Sequence, residues 1–290
     1  MEMVPSGLAV VGLLAACAAA PRPAAEPEQV APSFDRLVED YESRLRVVMD
    51  AEDAAELAPA PDEQEGPTFS ELTSEYVTRF RALAEAHPGE EDSGKALAWI
   101  AVHAWKPEDV EAAVPALVER FADRPYMLEV CTSLSRPNGL DRHASESLRS
   151  IAETTHVPVI RAWALYCAAR QDLSIVEMLG YLRDGADPAK AEALRAAFPP
   201  AAVSWLDSID PDRMQHQAED TLETLERSAG DLSYKDRKIS DIAASALFEL
   251  RDLAIGRTAP NIEGEDVDGL AFSLDQYRGR VVVLSFWGNW

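Results

Sequence analysis

The chain has 290 residues, 47% of them apolar and 27% charged, which supplies enough apolar surface for a sizeable core and excludes a disordered polypeptide. Its net charge of −24 sets the surface against phosphate backbones and argues against a nucleic-acid partner, and no segment reaches the roughly 18 apolar residues of a spanning helix. From Arg257 onward there are five acidic against three basic residues, so the acidity belongs to what precedes and reads most simply as solubility.

The N-terminus carries a ten-residue apolar stretch, Gly7 to Ala16, that runs into Leu14-Ala15-Ala16-Cys17. These residues resemble a bacterial lipoprotein signal. The resemblance implies that residues 1–17 are a signal segment, that Cys17 becomes lipidated and that the peptide before it is removed. Residues 18–33, rich in Ala, Pro and Glu, then suit a tether, and the protein is expected on the cell envelope, facing the periplasm or extracytoplasmic space. One feature departs from the pattern: Met1 to Ser6 has no Lys or Arg and contains Glu2. A short apolar N-terminus with an incidental cysteine is the alternative.

Residues 34–255 read as an α-helical domain. Ser33 caps a helix through Phe34, Leu37, Val38, Tyr41, Leu45 and Val48, whose spacing puts the apolar side chains on one face. Proline and acidic residues in 58–67 break it. Phe69 to Ala86 is again amphipathic, with Leu72, Tyr76, Phe80 and Leu83 on one stripe, and stops at His87-Pro88-Gly89; Ala96 to Trp105 follows as a short helix. Beyond that point prolines recur at intervals of about one helix. Asp187-Pro188 and Asp210-Pro211 are the clearest starts, because Asp at the N-cap and Pro at the next position suit the free N–H groups of a first turn. No strand patterning and no strict repeat intervene, so the expectation is a mainly α protein, a helical array that is solenoid-like in its simplest form.

Other chemistry fails on spacing. Cys131 and Cys167 sit in apolar helical contexts and read as buried free thiols, with a disulfide as the less favoured state. His87, His103, His143, His156 and His216 are scattered, without the i, i+4 pairing of a helical metal site. The clusters Glu90-Glu91-Asp92 and Asp62-Glu63-x-Glu65 lack the spacing of calcium ligands and read as solvated loops. Trp99, Trp105, Trp163 and Trp205 fall on apolar helical stripes and are expected in the core. No metal, cofactor-binding or catalytic residue can be assigned, and no cofactor is expected.

The last segment is the most specific. It reads Gly256-x-x-Ala259-Pro260, Asp268-Gly269-x-x-Phe272-Ser273-Leu274, then Tyr277-Arg278-Gly279, the apolar, β-branched run Arg280 to Trp287, and Gly288-Asn289-Trp290. The glycines between short apolar runs predict a hairpin, and the β-branched run after Gly279 predicts a strand buried on both faces. In combination these blocks resemble the opening of a redoxin domain of the thioredoxin superfamily, of the TlpA/ResA type of membrane-anchored thiol-disulfide oxidoreductase. The helical region before them is similar to those of envelope redoxin lipoproteins of planctomycetes. The resemblance implies that residues 256–290 are the N-terminal part of a thioredoxin-like α/β domain, its first hairpin and strand. It also implies that Trp287 and Trp290 flank the active site, and that the residue after Trp290 is the nucleophile of a Cys-x-x-Cys motif.

Position 291 lies past this chain, so neither tryptophan nor any other residue here supplies that thiol, and the 290-residue product is expected to be inactive. A nonsense change, a sequencing error, a fragmentary reading frame and a UGA codon read as selenocysteine all account for the break. The last is the favoured reading, since a selenol ionises more readily than a thiol. The apolar tail is expected to pack poorly beside a stable body over residues 69–250. Three functions follow. The first is an envelope thiol-disulfide oxidoreductase with a protein disulfide or dithiol as partner and a lipid anchor in the membrane. The second is a non-enzymatic lipoprotein whose helices bind a partner. The third is a peroxiredoxin, against which Phe286-Trp287-Gly288-Asn289-Trp290 speaks, because that group resembles Phe-Tyr-Pro followed by a longer loop to its cysteine.

Overall fold

In the computed structural model, which describes residues 33–56, 68–136, 143–184, 187–254 and 256–287, helices form where apolar side chains recur every three or four positions. Eleven α-helices occur among the described residues. The first four are α1 (Phe34–Glu56), α2 (Phe69–Ala86), α3 (Glu91–His103) and α4 (Pro107–Phe121). They close a first core in which Leu37, Tyr41, Leu72, Tyr76, Phe80 and Trp99 meet. Glu91 and Asp92, expected in a loop, instead open α3, where the helix dipole favours acidic side chains, and Asp92 accepts the Phe34 amide at 3.2 Å.

Next come α5 (Met127–Leu134), α6 (Ala144–Thr154) and α7 (Pro158–Asp184). The remaining helices are α8 (Pro188–Ala197), α9 (Pro200–Ser208), α10 (Pro211–Ser228) and α11 (Ile239–Asp252). Helix α7 is the hub. It buries Ile160, Trp163, Ala164, Cys167, Ala168 and Leu179, and packs against α5, α6, α8, α10 and α11. A helix apolar around most of its circumference must be surrounded, and its alanines let neighbours come close. Contacts from α7 to helices several elements away depart from the nearest-neighbour stacking of a solenoid.

The expected caps are in place. Asp187 accepts from the Lys190 amide and Asp210 from the Arg213 amide, each at 3.1 Å, with Pro188 and Pro211 in the first turn. Replacing Asp210 with Ala should lower stability by about 1 kcal/mol, read as an earlier urea midpoint with unchanged slope. Thr68 and Glu71 form a reciprocal capping box at the start of α2.

Two expectations need correction. The helical region holds a short hairpin, β1 (Ser233–Tyr234) with β2 (Arg237–Lys238), turned by Lys235 and Asp236 at φ 47° and 62°. That is the backbone of a tight hairpin turn, paid for by packing Tyr234 on Trp163 at 4.3 Å. Trp99 and Trp163 are buried and Trp205 is half-buried, but Trp105 is 63% exposed because α3 ends two residues before it. No described helix is long and apolar enough to cross a membrane.

Candidate functional site

The segment after α11 builds a second, independent hairpin. Strands β3 (Glu263–Glu265) and β4 (Ala271–Ser273) pair antiparallel with Gly264 opposite Phe272. The turn between them is held by Asp266, whose carboxylate accepts the amides of Asp268 and Leu270 at 2.9 Å each. Gly269 takes φ 76°, a left-handed position that residues with a side chain rarely adopt. Asn261 fastens the open end, its side-chain oxygen accepting from the Ser273 hydroxyl at 2.8 Å and the Asp275 amide at 3.0 Å. A single 3₁₀ turn, Leu274–Tyr277, leads to Gly279. The Asp-Gly turn and the hairpin are thus where the sequence places them.

The strand after Gly279 is not formed. Residues 281–287 carry no strand, and Val281, Val283, Phe286 and Trp287 are 97%, 87%, 88% and 87% exposed. A β-branched run becomes a strand only by pairing its backbone with a neighbour, and no neighbouring strand is present beside it among the described residues. None of residues 256–287 is fully buried. Of the expected site residues, Trp287 stands exposed, while Cys17 and Trp290 lie outside the described residues.

Thiol chemistry does not reside in the helical body. Cys131 on α5 and Cys167 on α7 are free and buried, at 0% and 1% exposure. Burial pushes the Cys167 thiol up to about 12 and the Cys131 thiol well above its ordinary value, the reverse of an attacking cysteine. In a Cys17→Ser chain, neither thiol should react with dithionitrobenzoate at pH 8 until denaturant unfolds the protein; rapid titration of the native chain would contradict this.

The histidines are dispersed as well. His87 lies 3.7 Å from Glu90, His143 3.5 Å from Glu146 and His156 3.2 Å from Asp123, all on exposed side chains, and His216 is bonded to the Asp212 carbonyl within its own helix. Among the described residues no three His, Cys, Asp or Glu side chains gather as metal ligands.

Known proteins add one pointer. The chain is 41% identical over 49 residues to the thiol-disulfide oxidoreductase ResA of Geobacillus thermodenitrificans. That match takes in 17% of this chain and spans 28% of the relative. No protein family model matches the chain, and no solved structure matches it. A redoxin-like relationship is thereby supported over a short stretch.

Proposed function

We propose that residues 256–290 are the leading part of a thioredoxin-like domain and that a chain carrying the whole of that domain acts as a thiol-disulfide oxidoreductase of the TlpA/ResA type, the 290 residues being inactive by themselves. The observation that carries this reading is the 41% identity over 49 residues to ResA. The β3–β4 hairpin and the exposed apolar run after Gly279 agree with it, because a hairpin followed by a β-branched, strand-forming segment is the order in which such an α/β sheet begins.

In this reading the attacking thiolate follows Trp290 at the N-terminus of a helix, where free N–H groups lower its pKa. It attacks one sulfur of a partner's disulfide, giving a mixed disulfide and releasing the other sulfur as thiolate. A second cysteine then displaces the partner's first sulfur. The partner gains two electrons and the motif becomes a disulfide. Trp287 and Trp290 border the surface that meets the partner. The helical body recognises or positions that partner, and an acylated Cys17 holds the assembly on the envelope membrane.

The test is complementation. The relative's domain, deprived of its strand-forming N-terminal segment and starting at the motif, is joined directly after Trp290. Cooperative unfolding of the chimera and insulin reduction that disappears when the first motif cysteine becomes serine are the expected results. A chimera whose grafted part stays unfolded would overturn the assignment of residues 256–290. Anchoring is tested separately: a mature N-terminus at Cys17 with acyl mass supports it, whereas an intact Met1 in the native host refutes it.

A further inference from the structure

A groove of about 520 Å³ opens in the helical body where the ends of α3 and α5 meet the starts of α2 and α4. Its volume falls in the range that encloses a small organic molecule. Tyr41, Phe69 and Trp105 supply aromatic walls, and Val110 and Leu134 line it between them. Phe69 and Trp105 meet edge to face with ring centres 5.6 Å apart, and the indole is 63% exposed, so most of it faces open space.

The polar groups are few and differ in kind. His103 stacks on Trp99 at 4.5 Å, and its Nδ1 lies 2.9 Å from the Trp99 carbonyl. A carbonyl only accepts, so Nδ1 carries the proton and Nε2 keeps its lone pair. Desolvation against the neighbouring helices holds the ring's pKa below its usual value, although one side of the ring meets solvent. The Ser133 hydroxyl is committed to the Val102 carbonyl at 3.3 Å. Arg136 therefore supplies the permanent positive charge of the groove lining, with the Glu129 carboxylate also acting on His103.

Three aromatic rings beside one guanidinium, on a chain of net charge −24, select for a flat apolar body carrying one negative charge. We propose that this groove binds a small aromatic carboxylate, with its ring against Phe69 and Trp105 and its carboxylate on Arg136. This site belongs to the helical body and stands whether or not residues 256–290 begin a redoxin domain.

Phenylacetate and the neutral phenylacetamide are suitable probes, followed by saturation transfer to their ring protons from the full chain. Phenylacetate should bind saturably and more tightly than phenylacetamide. Arg136→Gln should weaken phenylacetate by about tenfold and leave phenylacetamide unchanged, because it removes a charge-assisted hydrogen bond alone. Trp105→Ala should weaken both probes. Each side chain is exposed, so circular dichroism should show both variants folded. Absence of saturable binding, or phenylacetate affinity unaltered by Arg136→Gln, would overturn the proposal.

Discussion

Replacing Asp172 with Ala should cost about 3 to 5 kcal/mol of stability, among the largest effects of any single change in the helical body. Asp172 sits on α7 at 2% exposure, facing α6. Its carboxylate accepts from the Ser145 hydroxyl at 2.6 Å and from the Arg149 guanidinium, which also donates to Ser145. Each partner satisfies another, so the triad is closed. Removing the carboxylate leaves the Arg149 charge, itself 29% exposed, without its counter-ion and the Ser145 hydroxyl without its acceptor. The size of the loss is a statement about the orphaned groups, not about the worth of the ion pair. Accordingly Asp172→Ala combined with Arg149→Met should be more stable than Asp172→Ala alone, since it deletes the unpaired charge and keeps the volume. Urea unfolding of the two variants and the parent decides it, and a double variant no better than the single one would show that Arg149 reaches water unaided.

Local chemistry was legible from the sequence and assembled geometry was not. Asp187-Pro188 and Asp210-Pro211 announce helix starts because a cap needs only four consecutive residues, and the α1 and α2 stripes emerge because each faces one core. Helix α7 showed its apolar, helical character around Trp163 and Cys167 but not its place: wrapped on several sides, it has no single apolar face to read, and its central position follows from tertiary packing alone. Gly94 lies inside α3, where no local signal explains a glycine. In the structure a Cβ there would run into the Tyr126 hydroxyl and the Phe121 ring, so the glycine is the gap that lets α3 meet the α4–α5 corner. Lys235-Asp236 is a poor hairpin signature beside Asn-Gly, and nothing local betrays it.

The same distinction separates the two candidate sites. The β3–β4 turn was visible because Asp268-Gly269 encodes it directly. The strand expected over Val281 to Phe286 was equally visible as a pattern, but a strand's hydrogen bonds belong to its neighbour, so the pattern by itself did not produce one. The groove around Trp105 carries no motif at all. Its lining comes from positions as distant as Tyr41 and Arg136, brought together by five helices and their connections, and the only sequence trace is a tryptophan two residues past the end of α3 and so outside the core expected for it.

Trp163→Ala should cost about 3 to 5 kcal/mol and should loosen a hairpin more than sixty residues away in sequence. The indole is 8% exposed, and its Nε1 donates to the Thr132 hydroxyl on α5 at 3.0 Å. One side of the ring stacks on Tyr166 with centres 5.1 Å apart, and Tyr234 of β1 tilts onto it at 4.3 Å. A two-strand hairpin of four paired residues has little stability of its own, so β1–β2 depends on this contact for its place on α7. Truncation removes the largest apolar side chain of the junction, leaves a cavity between α5 and α7, and strips Thr132 of a donor. Trp163→Phe separates these contributions: it keeps a ring for Tyr166 and Tyr234 but offers no N–H, and should cost about 1 to 2 kcal/mol. Amide exchange at residues 233–238 should therefore rise sharply in Trp163→Ala and slightly in Trp163→Phe, while α1 to α3, which pack in the first core, keep the protection set by global stability. Equal exchange at the hairpin in both variants would mean that the turn at Lys235-Asp236, and not the aromatic stack, holds β1 and β2 in place.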